Sequence, residues 1–197
     1  AIVIMKKIMM TMVAAMMALT MNAQGNMYVG GSLGYQTSSY DGSSTRTIFT
    51  FSPSFGYWFK ENLALGIELG YGSNTNEATD PNLTNSSLSV SPYVRYKAIQ
   101  LGKVSLFADG MFTYSTSNNE SAGADGKAQD NKVNGWGIYV KPGIAYSLND
   151  KFSLVARFGN AIGYSSSKPD VSGAKATTTF QLANLSNNMQ FGFFYNF

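Results

Sequence analysis

Residues 191–197 read FGFFYNF, and the spacing of their aromatic side chains decides how the chain is interpreted. A β-strand places successive side chains on opposite faces, so residues two apart share a face. One face of this segment is entirely aromatic and consists of Phe191, Phe193, Tyr195 and Phe197. The segment therefore predicts a strand that presents a continuous apolar face to its surroundings.

The composition is poor in the groups that normally cover a soluble protein. Of the 197 residues, 44% are hydrophobic, 14% aromatic and 13% charged, whereas a soluble domain carries about 25% charged residues. Cysteine and histidine are both absent. The absence of cysteine excludes disulfides, thiol chemistry and a lipid-bearing cysteine.

The first residues follow the pattern of a secretory signal peptide. Lys6 and Lys7 precede an apolar run over residues 8–19, and Ala23 closes an A-x-A-like cleavage site. The alternative is a transmembrane anchor, but the run has about 12 residues where a spanning helix needs about 20. We expect a signal peptide over residues 1–24, with residues 1–4 as an upstream extension, and one barrel domain over residues 25–197.

Alternation with a period of two recurs throughout the rest of the chain, in eight segments. These segments are 27–36, 45–59, 63–73, 87–97, 103–115, 133–147, 152–164 and 185–197. Short turns at 59–62, 98–102 and 148–151 alternate with long polar loops at 37–44, 74–86, 116–132 and 165–178. An even number of strands with short turns at one end and long loops at the other is typical of an outer-membrane barrel.

A soluble barrel with its apolar face inward shows the same alternation, so the orientation of the faces has to be argued separately. An inward apolar face would leave mainly Gly, Ser, Ala and Thr to face water, whereas these small residues suit a narrow lumen. Aromatic residues also gather at both ends of the apolar face, as lipid interfaces select. The predicted girdle comprises Tyr35, Tyr71, Tyr114, Trp136 and Tyr164 near the loops, and Tyr57, Tyr96 and Tyr146 near the turns. The predicted fold is therefore an all-β, eight-stranded, antiparallel, up-and-down transmembrane β-barrel.

Four stretches resemble the small outer-membrane β-barrel family, the OmpA/OmpX-like group. They are the signal MKKIMM…NAQ, the first strand MYVGGSLGY, the turn and strand FKENLALGIELGYG, and the terminal FGFFYNF. The resemblance covers the chain after the signal. It implies that Phe197, with Tyr195 and Phe193, forms an assembly signal read by the barrel assembly machinery. It also implies export to the outer membrane of a Gram-negative-type bacterium, with membrane lipid as a partner.

Five charged residues fall on the predicted inward face. Counted from the short turns, Glu68, Asp109, Lys141 and Arg157 lie at about one depth, and Arg95 is expected lower. Buried charges are costly unless paired, so we predict a lumen salt-bridge cluster with Tyr93 and Tyr139 as hydrogen-bonding neighbours. It would either plug and stabilise the barrel or act as a gate for ions.

Four apolar side chains are also predicted to face the lumen: Ile48, Phe107, Met111 and Val155. They would either pack the lumen or line a path for a hydrophobic ligand. Without histidine or cysteine the chain lacks the usual base and thiol of enzymes that work near neutral pH, so no catalytic site is predicted.

No cofactor, metal site or nucleic-acid partner is predicted. Loop 116–132 contains Glu120, Asp125 and Asp130 without the spacing of an EF-hand, which leaves only a loose calcium contact to consider. The leading hypothesis is a structural barrel that displays four polar extracellular loops for surface interactions. The alternative is a narrow porin-like channel or conduit for small or hydrophobic solutes.

Overall fold

The fold is taken from a computed structural model, which describes residues 26–39, 45–76, 83–122, 128–185 and 189–197. The expected signal peptide and the acidic Asp125 of the loop discussed for calcium lie outside the described residues. Within these ranges no helix is long and apolar enough to cross a bilayer, a finding that carries no information about crossing by strands.

Ten strand segments make up the described chain. They are β1 Met27–Ser39, β2 Thr45–Lys60, β3 Leu63–Asn76, β4 Leu83–Leu101, β5 Val104–Ala122, β6 Ala128–Ser147, β7 Phe152–Arg157, β8 Asn160–Pro169, β9 Thr177–Asn184 and β10 Gln190–Asn196. All the pairings between them are antiparallel, and β1 pairs with both β2 and β10. The sheet therefore closes on itself, which leaves no free edge where these strands meet.

The predicted eight-stranded antiparallel barrel is confirmed, because the ten segments occupy eight positions in the wall. β7 and β8 follow one another along β6 and together form the seventh barrel strand. β9 and β10 pair with β8 and β7 respectively and form the eighth.

The predicted bounds of the seventh strand, 152–164, and of the eighth, 185–197, are wrong in detail. The seventh is interrupted after Arg157, and the described part of the eighth consists of β9, which ends at Asn184, and β10, which begins at Gln190. The interruption in the seventh lies opposite Pro142 of β6, whose carbonyl accepts a hydrogen bond from Phe158 N–H at 2.9 Å. Proline has no N–H to donate to a sheet ladder. Pairing with β6 resumes only at Ile162, which lies opposite Val140.

The predicted loop boundaries are also wrong, because strands extend far into the polar segments. β5 runs to Ala122 and β6 begins at Ala128, inside the predicted loop 116–132. Ser, Thr and Asn residues of the polar segments continue the backbone hydrogen-bond ladder, and some of their side chains also contact each other across neighbouring strands. Thr75 Oγ1 and Thr84 Oγ1 lie 3.2 Å apart across β3 and β4. Threonine suits a pleated strand, whereas composition alone indicated loops.

The inward face combines glycine with large aromatic rings on neighbouring strands. Three cross-strand pairs share this arrangement: Tyr28 with Gly56, Tyr93 with Gly66, and Phe107 with Gly143. A Cβ on any of these glycines would overlap the ring opposite it. Small residues thus make room for rings that fill the narrow lumen.

Candidate functional site in the barrel lumen

The centre of the lumen holds a bidentate ion pair between neighbouring strands. Arg95 of β4 lies opposite Asp109 of β5. Arg95 Nε donates to Asp109 Oδ1 and Nη2 donates to Oδ2, both at 2.7 Å. Both side chains are almost fully buried. This parallel geometry is the strong form of a carboxylate–guanidinium contact.

A second arginine links this pair to the opposite side of the barrel. Arg157 of β7 donates from Nη2 to Glu68 Oε2 of β3, and its Nη1 lies 3.7 Å from Asp109 Oδ2. Asp109 is 0% exposed and therefore interacts with both guanidinium groups inside the lumen. The four charges form one network that crosses the barrel, which we call the lumen charge layer: Glu68, Arg95, Asp109 and Arg157.

Aromatic rings surround the guanidinium of Arg95. Its Cζ lies 4.1 Å from the ring centroid of Phe107 and 4.6 Å from that of Phe194. The rings of Tyr93 and Tyr28 follow at 5.5 and 5.6 Å. Cations are attracted to aromatic faces within about 6 Å. The rings therefore stabilise the charge and also fill the space around it.

The depth predicted for Arg95 is wrong, because Arg95 is level with Asp109 rather than below it. The predicted turn 98–102 is too long. β4 continues to Leu101, and the turn is formed by Gly102 and Lys103, with Gly102 at a φ of +58°. The predicted depth of Arg95 was counted from a turn that begins at residue 98, whereas the strand continues to Leu101. The prediction therefore placed Arg95 too close to the turn.

Lys141 lies opposite Asp109 on β6 but does not join the ion-pair network. In the described part of the chain, no carboxylate oxygen is within 4.0 Å of its Nζ. The ammonium lies 5.9 Å from the ring centroid of Tyr139 instead. Of the five charges predicted to cluster, the structure therefore brings four together and leaves Lys141 beside an aromatic ring.

The two tyrosines predicted in the lumen have different environments. Tyr93 is 3% exposed, and its hydroxyl lies 2.8 Å from that of Tyr28. Tyr139 is half-buried and faces Gly163 across the β6–β8 pair. Neither hydroxyl contacts a carboxylate among the described residues.

Sequence reasoning missed two members of the lumen, Tyr28 and Phe194. Their ring centroids are 5.1 Å apart, and both residues are buried. The signal was present in the alternation, since Tyr28 precedes the outward Val29 and Phe194 lies between the outward Phe193 and Tyr195.

The apolar residues predicted in the lumen also lie there. Phe107, Met111 and Val155 are buried, and Ile48 is half-buried. Towards the short turns, a polar cavity of about 100 Å³ follows the charge layer. Arg95 of the lumen charge layer and Phe107 form part of its lining.

The aromatic residues predicted in the girdle lie on the outer wall. Seven are exposed and Tyr71 is half-buried. Near the loops, the rings of Trp136 and Tyr164 lie 5.8 Å apart. At the other end, Tyr195 contacts both Phe152 and Phe197 at 4.9 Å between centroids. Phe193 is exposed on the same wall, and Phe197 N–H donates to Met27 O at 3.0 Å.

In the described part of the chain, the lumen charge layer pairs its charges, and aromatic rings pack around Arg95. Among the described residues, no three histidine, cysteine or acidic side chains converge as metal ligands. The carboxylates of the lumen charge layer are both committed to arginine.

Comparison with known proteins places this geometry among bacterial outer-membrane barrels. The family model described as Outer membrane protein beta-barrel domain matches residues 8–197. No curated protein matches the chain in a sequence search.

Solved structures with similar folds include three outer-membrane proteins. A major outer membrane protein from Thermus thermophilus has a TM-score of 0.53 at 12% identity and covers 89% of this chain and 100% of its own. Neisserial surface protein A has a TM-score of 0.50 at 15% identity, with 88% and 98% covered. OprG from Pseudomonas aeruginosa has a TM-score of 0.50 at 13% identity, with 88% and 96% covered. At these identities the likeness concerns the fold alone.

Proposed function

Since the chain belongs to the outer membrane protein β-barrel domain family, we propose that it is a closed barrel of a Gram-negative-type outer membrane that displays an extracellular β-surface. The lumen charge layer is the observation that carries this proposal. It joins β3, β4, β5 and β7 across the lumen through paired and buried charges. A narrow lumen filled in this way supports a structural role.

The length of the strands supports the surface role. β5 has 19 residues and β6 has 20, whereas a tilted membrane strand needs about 9–11. Beyond the girdle residue Tyr114, β5 continues to Ala122, which corresponds to about 26 Å of extended chain. This polar projection offers a rigid surface to a partner outside the cell.

Planar-bilayer recording tests the closed lumen. The barrel refolded from residues 25–197 is expected to show no steady conductance, because the charge layer and its aromatic surround fill the cross-section. Folding is established first by circular dichroism and by heat-dependent mobility in electrophoresis. Steady openings from protein that passes both tests would contradict the proposal.

A narrow channel is the second candidate, and two unpartnered groups favour it. Lys141 has no carboxylate within 4.0 Å in the described chain. The buried hydroxyl of Ser54, which lies opposite Glu68, has no hydrogen-bond partner among the described residues. Water in the lumen would satisfy both groups. In this candidate Lys141, which lies opposite Asp109, replaces an arginine as its partner and opens a path through the lumen charge layer.

Replacement of Lys141 distinguishes the two candidates. If the lumen conducts, Lys141→Gln is expected to change the conductance and reduce selectivity for anions, because it removes a positive charge from the path. Lys60→Gln, which removes the same charge outside the lumen, is the matched control. Equal effects of both variants would exclude a gating role for Lys141.

Deletion of Phe197 tests the proposed assembly signal. We expect less folded barrel in the outer membrane of expressing cells, since the resemblance assigns Phe197 to recognition by the assembly machinery. Phe191→Ala removes an outward aromatic from the same strand and serves as the control. The measurement is the folded fraction by heat-dependent mobility, in cells and after refolding in detergent. An equal loss under both conditions would indicate a stability effect instead.

A further inference from the structure

One seam of the barrel wall is unpaired on the side of the loops. β1 pairs with β10 only from Tyr28 to Ser32, and the rest of β1, up to Ser39, pairs with β2 alone. β9 pairs only with β8 and is the last strand in the order of the sheet. No pairing joins the described strands β1 and β9. We call the opening between residues 33–39 of β1 and β9 the lateral gap.

The eighth barrel strand leaves the first where its two segments meet. Ala183, one residue before the end of β9, has a φ of +56°, in the left-handed region that residues with a side chain rarely adopt. Pairing with β1 is present only within β10, where Gly192 lies opposite Ser32. The change of backbone direction at Ala183 therefore accompanies the loss of pairing with β1.

Two glycines of β1 show where the lateral gap begins. A Cβ on Gly30 would overlap the carbonyl of Phe193 on β10. A Cβ on Gly34 would meet, among the described residues, only the side chain of Thr50 on β2. The described part of the eighth strand is therefore in contact with β1 at Gly30 and out of reach at Gly34.

The girdle fixes the height of the lateral gap in the membrane. Tyr35 belongs to the girdle at the loop end, as does Tyr164, which lies opposite Phe180 of β9. The exposed Leu33 and Leu182 lie on the turn side of these rings, where the hydrocarbon core is found. Unpaired backbone at this depth is tolerated only where it lines a cavity. The gap therefore connects the lumen with the outer leaflet.

The lumen behind the lateral gap is narrow but sparsely filled. Inward positions on the loop side of the lumen charge layer carry small side chains, which include Ser52, Gly70, Ser89, Thr113 and Gly137. The large rings that fill the lumen around Arg95 lie on the turn side. The space on the loop side can therefore receive part of a ligand, whereas the layer closes the lumen below it.

A positive charge without a carboxylate partner borders this space. Lys141 lies opposite Asp109, but both oxygens of Asp109 accept hydrogen bonds from Arg95. Glu68 is bound by Arg157. Three basic side chains thus stand against two carboxylates, and the ammonium of Lys141 is the group left over among the described residues.

The side chain of Lys141 is directed towards the loops. Its Nζ lies 5.9 Å from the ring centroid of Tyr139, and that ring lies over Gly137, where an added Cβ would overlap the tyrosine hydroxyl. Both residues are nearer the loops on β6 than Lys141. Tyr139 also lies opposite Gly163 of β8, which lies opposite Gln181 of β9. The ammonium therefore stands on the wall that ends at the lateral gap.

We propose that the lateral gap admits a fatty acid from the outer leaflet. Its carboxylate binds the ammonium of Lys141 on the loop side of the lumen charge layer, as a charge-assisted hydrogen bond. Its acyl chain passes between β1 and β9 and covers Leu33 and Leu182. The proposal rests on the placement of the barrel in the membrane, and a lumen closed to ions along its axis is compatible with it.

Native mass spectrometry of the refolded barrel tests the carboxylate site. The probe is oleate, compared with methyl oleate, which has the same chain and no charge. We expect one oleate to be retained per barrel and methyl oleate to be lost. Lys141→Gln should weaken retention of oleate about tenfold, because it removes a hydrogen bond between charged groups. Lys60→Gln, outside the lumen, should leave retention unchanged.

Photo-crosslinking in lipid vesicles locates the acyl chain. The probe is an oleate analogue with a diazirine in the middle of its chain, and labelled residues are identified by peptide mass spectrometry. We expect labels at Leu33 and Leu182 that decrease in the Lys141→Gln variant. Val94 is an exposed apolar residue of β4, away from the lateral gap, and should be labelled only at the background level.

Three results would overturn the proposal. They are equal retention of oleate and methyl oleate, equal losses in the two lysine variants, and labelling of Val94 as strong as that of Leu33. Each variant is first shown to be folded by heat-dependent mobility. A barrel that conducts and retains oleate would contradict the proposed closed lumen alone, and a closed barrel that releases oleate would contradict the lateral site alone.

Discussion

Replacement of Asp109 by alanine is expected to lower the free energy of unfolding by about 3–5 kcal/mol, the cost of breaking a buried ion pair from one side. Asp109 is fully buried and binds Arg95 with both oxygens. It also lies within 3.7 Å of Arg157. Its loss leaves Arg95 inside the lumen without an anionic partner. The variant should therefore be less stable than the wild type and more permeable to ions.

Urea-induced unfolding of the barrel in lipid vesicles measures the first effect. Asp150→Ala is the matched control, because Asp150 is exposed near the turn between β6 and β7. A midpoint equal to that of the control would show that the charge layer contributes little to stability. Arg95→Met with Asp109→Leu removes the pair and its charge together and should recover much of the loss.

Replacement of Tyr28 by alanine is expected to cost about 3–5 kcal/mol of unfolding free energy, as large aromatic truncations in cores do. Tyr28 is 1% exposed and packs against Trp58 and Phe194, with ring centroids at 5.7 and 5.1 Å. Its ring also occupies the space left by Gly56. Truncation therefore opens a cavity beside Arg95 that the rigid wall cannot close.

Two further variants divide the effect of Tyr28 into packing and hydrogen bonding. Tyr28→Phe keeps the ring and removes only the hydroxyl contact with Tyr93, so about 1 kcal/mol is expected. Tyr35→Ala removes a ring that is 69% exposed on the lipid face and should cost less than Tyr28→Ala. Equal midpoints for Tyr28→Ala and Tyr28→Phe would contradict the cavity argument.

The lumen charges show which features of the site can be predicted from the sequence and which cannot. Alternation placed Glu68, Asp109 and Arg157 on the inward face, because a strand alternates strictly. Alternation could not determine which basic residue pairs with Asp109, because Arg95 lies opposite it on one neighbouring strand and Lys141 on the other. Both basic side chains lie opposite Asp109. In the folded barrel Arg95 donates two hydrogen bonds to it, and Phe107 and Phe194 pack around the guanidinium.

Alternation along the chain was sufficient to predict the barrel, its two faces and its aromatic girdle, because each depends on a local pattern that survives small errors in strand boundaries. The partners of the lumen charges and the break opposite Pro142 are visible only in the folded barrel. These features depend on register between strands. A single misplaced turn, such as the one at Gly102, changes the depth of Arg95 without changing the face it occupies.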